Sequence, residues 1–261
     1  MNNMRRTAFS VGTVLFAVLI ILVSVGPFCL VVCRSFLSDA GVSFQSYYEV
    51  LWAQSQYLIR FWKSLFISLC AAMGHLVVSV LAGYGFARYR FPGRNAIFFL
   101  ITILITLPIQ VTLVPNYIML NRLGLLDTYA ALILPQIFMP LGTFILRQSF
   151  LSISDSVIDA AMLDGCNALQ ILWRIAMPMN FGGIICAFLL SFLDTWNMVE
   201  QPIAYLKEMN RYPISIAVVY TAPADVTIQL VCCILVTVPC LFFFLFFSRE
   251  LVDGIVLAEV K

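Results

Sequence analysis

Charge is what this chain has least of. Of its 261 residues only 11% are Asp, Glu, Lys or Arg, against 62% hydrophobic, and the mean hydropathy is +0.99. A soluble domain carries about a quarter charged residues. Burying so much apolar side chain needs a solvent that is itself apolar, so the chain reads as a single membrane domain over residues 1–261. The formal net charge of +2, with no basic run, points away from nucleic acid as a partner.

Other absences remove chemistry. A phosphate-cradling loop needs Gly-Lys-Ser/Thr after a glycine-rich turn. The three lysines here follow Trp62, Leu206 and Val260, so the chain has no such loop for ATP. H-E-x-x-H and G-x-S-x-G are missing, and His75 is the single histidine. No catalytic residue, metal ligand or chain-bound cofactor is therefore assigned, and the protein is not expected to be an enzyme. Ion-coupled carriers keep carboxylates inside the membrane, and the apolar stretches hold none. Sodium binding by backbone carbonyls is the reading this leaves open. Eight cysteines suggest no disulfide framework: seven fall in apolar stretches, where Cys packs as a small hydrophobe, and Cys166 is the other. His75 precedes Ser79 by four residues on one helical face, which predicts an interhelical hydrogen bond.

What is present is long charge-free sequence, at 7–33, 64–87, 95–121, 128–146, 175–193 and 226–248. Each reaches or nears the roughly 20 residues that carry an α-helix across a bilayer. The predicted fold class is all-α and polytopic, with six spans at about 8–33, 64–87, 96–120, 128–147, 176–197 and 226–248. Arg5 and Arg6 before the first apolar run resemble the start of a secretory signal, but the run is long and no A-x-A site follows, so an uncleaved anchor is expected. With both termini in the cytoplasm, the inner segments hold Arg5, Arg6, Arg88, Arg90, Arg94, Arg147, Arg174, Arg249 and Lys261. The outer ones hold Arg34, Arg60, Lys63, Arg122, Lys207 and Arg211. The excess inside sets the expected orientation. Pro108, Pro115, Pro135 and Pro140 are expected to kink their spans, as bends or as hinges.

The loop at about 148–175 interrupts the apolar pattern and is expected in the cytoplasm. Ser154 or Asp155 offers an N-cap for a helix over Ser156 to Asp164. Val157, Ala160, Ala161 and Leu163 give it a partly apolar face, and Gly165 ends it. Asn167 with Gln170 predicts a capping box for a second helix that stops near Pro178. Ala160 and Ala161, flanked by Asp159 and Asp164, would let another protein approach the helix closely. A generic amphipathic loop is the alternative.

"DAAMLDG" at 159–165 followed by "IAMPM" at 175–179 resembles the E-A-A–G–I–L-P signature of ABC importer permeases. "LAGYGFARYRFPGR" at 81–94, "LGLLDTYAALILP" at 123–135, "FILRQSF" at 144–150, "FLDTWNMVEQP" at 192–202 and the final "LVDGIVLAEVK" resemble the maltose-type carbohydrate permeases of that family. The resemblance implies a coupling helix between spans four and five, seated on an ATPase through Asp159, Ala160, Ala161, Leu163, Asp164, Gly165, Ile175 and Pro178. It implies as partners a second, homologous permease, two ATPase subunits carrying ATP-Mg, and an extracytoplasmic solute-binding protein, in the cell's inner membrane. Two departures stand out. Asp159 occupies a usual Glu position, and Met198 and Val199 replace the E-F that often follows Trp-Asn. Sugars favour aromatic faces and amide or carboxylate groups. Gln110, Asn116, Gln136, Asp194, Trp196 and Asn197 are thus the substrate-pathway candidates, each with an alternative role as interhelical glue. The expected function is the membrane subunit of an ATP-driven sugar importer working by alternating access. The same machine for glycerol phosphate, or a non-transporting scaffold, are the alternatives. Replacing Gly165 by Val is expected to lower ATPase–permease coupling with insertion unchanged; transport equal to wild type in vesicles would contradict the lever.

Overall fold

In a computed structural model the backbone is described for residues 2–38, 41–53, 55–216 and 226–259. The chain is helical nearly throughout. Two two-residue strands, β1 (Leu37–Ser38) and β2 (Gly41–Val42), pair antiparallel, with Leu37 opposite Val42. Among the described residues four helices are long and apolar enough to cross a membrane: Phe16–Ser35, Gln56–Arg88, Ala130–Leu151 and Val226–Val252. The number is six if each of two bent helix pairs counts as one span.

Contacts divide the chain into two compact units. One holds residues 1–58 and 218–238. Within it, α1 (Asn2–Ser35) leads into α2 (Gln45–Tyr48), and the last long helix begins at Val226. Val50, Ile228, Val231 and Cys232 form its buried core, joined by Tyr47 and Tyr57. The Ser35 hydroxyl ends α1, donating to Val32 O at 2.7 Å and lying 2.8 Å from the Tyr47 hydroxyl.

The other unit holds residues 59–217 and 239–261. It takes in most of α3 (Ser55–Arg88), then α4 (Arg94–Thr106), α5 (Ile109–Arg122), α6 (Ala130–Ile137) and α7 (Pro140–Leu151). Next come α8 (Asp155–Leu163), α9 (Ala168–Ile171), a π-helical stretch (Leu172–Ala176), α10 (Met177–Met179), α11 (Phe181–Trp196) and α12 (Glu200–Tyr205). The last helix, α13 (Val226–Glu259), enters this unit at Pro239 and carries one non-helical residue, Phe247.

The region expected as the third span, kinked at its prolines, is broken by a sharp bend. α4 and α5 meet at 107°. Pro108 lacks an amide hydrogen, and its ring pushes the preceding residue out of the helical region. Leu107 is accordingly extended, at φ −72° and ψ 127°. Pro115 and Pro135 sit inside helices, while Pro140 opens α7, where its missing N–H costs nothing. The expected fifth span also bends. Residues 168–179 meet α11 at 84°, and the break falls at Asn180 rather than at Pro178.

Small residues set how closely the helices pack. A Cβ on Gly142 of α7 would lie 2.4 Å from the His75 ring and 2.5 Å from Ser79 Oγ on α3. A Cβ on Gly83 would lie 2.9 Å from Leu146 Cβ, and one on Gly183 would lie 2.5 Å from Ser149 Oγ. Such contacts let backbones approach where lipid supplies no hydrophobic drive. The expected interhelical bond of His75 is present: its Nε2 lies 3.0 Å from Met139 O, the carbonyl just before α7. Ser79 makes no hydrogen bond to it and is held instead in the Gly142 notch.

In the loop between α5 and α6, Asp127 takes the left-handed conformation at φ 59°. Its carboxylate accepts from Lys207 N at 3.0 Å and Glu208 N at 3.4 Å and pairs with Arg211 at 3.6 Å. Its carbonyl accepts a further bond from Arg211. The Lys207 amide above all, then the Glu208 amide and the Arg211 charge, hold the carboxyl below its ordinary value. A group depressed in the folded state stabilises above its unfolded pKa, and that stability is lost as pH falls through the folded value. Protection factors across 205–212, corrected for the slower intrinsic exchange in acid, are therefore expected to fall as pH drops below about 4. Asp127→Asn, which keeps the left-handed turn, should exchange faster already at pH 7 and lose this acid dependence. In the isolated subunit, Gly142→Ala should cost about 1–3 kcal/mol of stability in detergent. Gly182→Ala, with nothing within 4 Å of its added carbon, should cost nothing; equal melting of the two would refute the close-packing role.

Candidate functional site

The interrupting segment folds as helix, glycine turn, helix. α8 starts at Asp155 and ends at Leu163, one residue earlier at each end than the sequence pattern predicts. Ser154 stands at the N-cap with an extended backbone, but its hydroxyl lies 2.9 Å from Ser156 Oγ and caps no amide. At the other end Cys166 N donates to Ala161 O and Gly165 N to Met162 O, both at 3.0 Å. That pair of bonds is a Schellman closure. It requires a left-handed residue, which Gly165 supplies at φ 82° with open space around it. Valine there would be strained by its backbone alone. The capping box also forms: Gln170 N donates to Asn167 Oδ1 at 2.9 Å, and Asn167 N donates to Gln170 Oε1 at 2.8 Å.

The faces of α8 differ from those expected. Ile158 and Ala161, three apart on one side, are buried in a core cluster with Tyr84, Ala87, Leu146, Phe150, Ile171 and Ala176. Asp159, Ala160, Met162, Asp164 and Gly165 are exposed, and Leu163 is 89% exposed. The reading that places Ala160 and Ala161 together on an outward face is thus corrected. A helix turns about 100° per residue, so the two alanines cannot share the surface that Ile158 points away from. Ala160 lies outside and Ala161 fixes the helix to the bundle. Leu169 and Trp173 add apolar surface at 62% and 59% exposure. Ile175 is half-buried in the same core, and Pro178 is exposed on α10.

Two polar side chains missed at the sequence level hold this segment at its ends. Arg88, the last residue of α3, donates to Phe150 O at 2.7 Å, Ile153 O at 2.6 Å and Asp155 Oδ1 at 2.7 Å. Asn180, buried at the 84° bend, donates from Nδ2 to Ala176 O at 3.1 Å. Its Oδ1 accepts from Ser149 Oγ at 2.8 Å and Ser152 Oγ at 3.4 Å. A lone polar residue beside Gly182-Gly183 in an apolar stretch was the available signal for Asn180. Arg88 carried none beyond its place at a span end.

The six pathway candidates do not converge. Gln136 and Asp194 line one cavity of about 30 Å³ with His75, Met139, Gly142 and Ser191. Gln136 is buried and Asp194 exposed. Gln110 instead donates to Glu200 Oε1 at 2.8 Å, so the carboxylate that stands beyond Met198 and Val199 pairs with α5. Asn116 faces Tyr205. Asn197 donates back to Leu193 O at 2.8 Å. Trp196 is 1% exposed, its ring stacked on Phe192 at 5.7 Å and edge-on to Phe61 at 5.5 Å. It packs as core and offers no face to a solute in this conformation.

Comparison with known proteins gives a consistent result. Residues 76–255 match the family described as binding-protein-dependent transport system inner membrane component. The arabinooligosaccharides transport system permease protein AraQ of Bacillus subtilis (strain 168) is 31% identical over 223 residues, covering 84% of this chain and 79% of the relative. The protein of the same name from Halalkalibacterium halodurans is 31% identical over 208 residues, covering 78% and 75%. The sn-glycerol-3-phosphate transport system permease protein UgpE of Yersinia pestis is 33% identical over 141 residues, 54% of this chain and 50% of that protein. The fold matches a chain from the crystal structure of a bacterial ABC transporter involved in the import of the acidic polysaccharide alginate, at TM-score 0.82 and 19% identity, covering 93% of this chain and 96% of that one.

Proposed function

Because the chain belongs to the binding-protein-dependent transport system inner membrane components, we propose that it forms half of the translocation pathway of an ATP-driven importer. The other half is a second, homologous permease. Two ATPase subunits bind and hydrolyse ATP-Mg on the cytoplasmic side, and an extracytoplasmic solute-binding protein delivers the cargo. Both termini lie in the cytoplasm of a cell whose inner membrane the chain crosses several times.

The observation that carries this reading is the outward face of α8. Asp159, Ala160, Met162, Leu163 and Asp164 stand exposed on a short helix whose other face is locked into the bundle. Exposed apolar side chains rimmed by charge mark a protein contact. A helix closed by a Schellman turn and followed by a capping box holds its shape under load. ATP binding closes the ATPases, the closure displaces α8, and the bundle packed on Ile158 and Ala161 moves with it. The pathway then opens outward, and release of ADP and phosphate reverses the cycle.

Carbohydrate is the proposed cargo. The arabinooligosaccharide permeases cover the greater part of this chain. Gln136 and Asp194, at the mouth of the cavity beside His75 and Ser191, are the groups proposed to meet it. Glycerol phosphate is a second reading, favoured by the 33% identity to UgpE over about half the chain. Among the described residues no arginine or lysine lines that cavity, and an anionic cargo gains most from such a partner. Reconstitution with the ATPases and the loaded binding protein tests the proposal. ATP turnover should rise several-fold with loaded over empty binding protein and carry labelled sugar inward. A scaffold would give no stimulation, and a secondary carrier would still transport after ATP depletion.

A further inference from the structure

We infer that Arg88 is the positioning residue that makes α3 move as one body with α8. The inference rests on the importer reading and adds a residue and a direction of force to it.

Three acceptors converge on one guanidinium. Two are main-chain carbonyls, Phe150 O and Ile153 O, at and just past the end of α7; the third is Asp155 Oδ1 in the first turn of α8. The last carbonyls of a helix have no partner of their own, and burying them unpaired is costly. Phe150 is 0% exposed and Ile153 5%, so both carbonyls belong to a buried turn. The Arg88 side chain is 11% exposed, whereas that of Asp155 is 91% exposed. The ion pair is therefore weak by itself, and the two carbonyl bonds are the grip.

The grip spans elements that sequence holds apart. Arg88 ends the helix that crosses from Ser55, and the turn it clasps lies more than sixty residues later. Above it Tyr84 meets the Phe150 ring edge-on at 5.5 Å, and Ile158 and Ala161 of α8 pack in the same cluster as Tyr84 and Ala87. Apolar packing alone lets one helix slide along another. A planar fork bonded to two carbonyls fixes axial position as well as distance. Displacement of α8 is thereby delivered to α3, and not only to the spans that flank α8 in sequence.

The test uses the assembled transporter. Spin labels on Leu81→Cys in α3 and Ser156→Cys in α8, on a cysteine-free background, report the distance between the helices without nucleotide and with ATP. Wild type should keep one narrow distance in both states. Arg88→Ala should broaden it and lower sugar moved per ATP hydrolysed about tenfold, the loss expected of two charge-assisted bonds. Arg88→Lys, with a point charge that reaches fewer acceptors, should fall between. Asp155→Asn should stay within about twofold of wild type. Unbroadened distances with wild-type coupling in Arg88→Ala would overturn the role. If Arg88→Ala does not assemble, full coupling by Arg88→Lys overturns it equally, and a partial loss supports it. A loss in Asp155→Asn as large as in Arg88→Ala would also overturn it, because the ion pair would then be the link. Failure of wild type itself to couple ATP to transport sinks the importer reading and leaves the Arg88 geometry untouched.

Discussion

A helix that stops inside or beside a membrane leaves carbonyls with no water to accept from, and each must find a donor within the protein. Several of the polar contacts that join elements in the larger unit answer this constraint. Met139 O, before α7, faces His75. Phe150 O and Ile153 O, after it, take Arg88. Ala176 O, which already accepts from Asn180 N, takes the Asn180 side-chain amide as a second bond at the bend. Leu113 O, on the turn preceding Pro115 in α5, takes the Tyr205 hydroxyl at 3.3 Å. Several helix ends are thus sutured by side chains, and the Asn180 bend is one of the places where elements are tied together.

α7 is the element most of these ties reach. Gly142 admits the His75 ring and Ser79 on one side, and Ser149 fits the notch of Gly183 on another while donating to Asn180. Below these, Arg147 lies 3.9 Å over the Phe98 ring, bringing α4 to the same helix. Segment 155–179 leaves the end of α7 at Arg88's clasp and returns to it at Asn180. A lever mounted at both ends on one helix transmits displacement to everything packed on that helix. A lever mounted at one end would only swing.

Much of this was legible beforehand. Charge-free stretches located the apolar helices because charge in lipid is costly enough to be excluded. Gly165 marked a turn that only a left-handed residue closes, and Asn167 with Gln170 marked the helix start that follows. What resisted reading has one physical cause: main-chain carbonyls are the same at every position, so an acceptor leaves no mark in sequence. Arg88 looked like one more positive charge at a span end, and its real partners were two carbonyls. Proline is the visible breaker and so points to Pro178, yet the helical run 168–179 passes through Pro178 and bends only at Asn180. Trp196 resisted for a different reason. An indole near a helix end suits a sugar or a core equally well, and of the neighbours that decided it, Phe192 lies one turn earlier on the same helix while Phe61 comes from α3. Ala160 and Ala161 differ only by 100° of helix, and which one faced inward depended on the register that Ile158 sets.

The sutures also bear on how such a bundle moves. A bond within a helix has a replacement one turn away if the chain slips. A side-chain donor to an orphan carbonyl has none, because moving it away strands both groups in a low-dielectric interior. Elements joined in this way resist separation far more than elements joined by apolar contact, which re-forms after sliding at little cost. Movement is thereby channelled to surfaces that carry no such bond. The bend between α4 and α5 at Pro108, which no side chain bridges among the described contacts, is one such place. The tied block of α3, α7, α8 and the Asn180 bend forms the other partner to the motion. The proposed cycle uses both: a block stiff enough to carry work from the proposed ATPase contact, and a seam soft enough to yield when the work arrives.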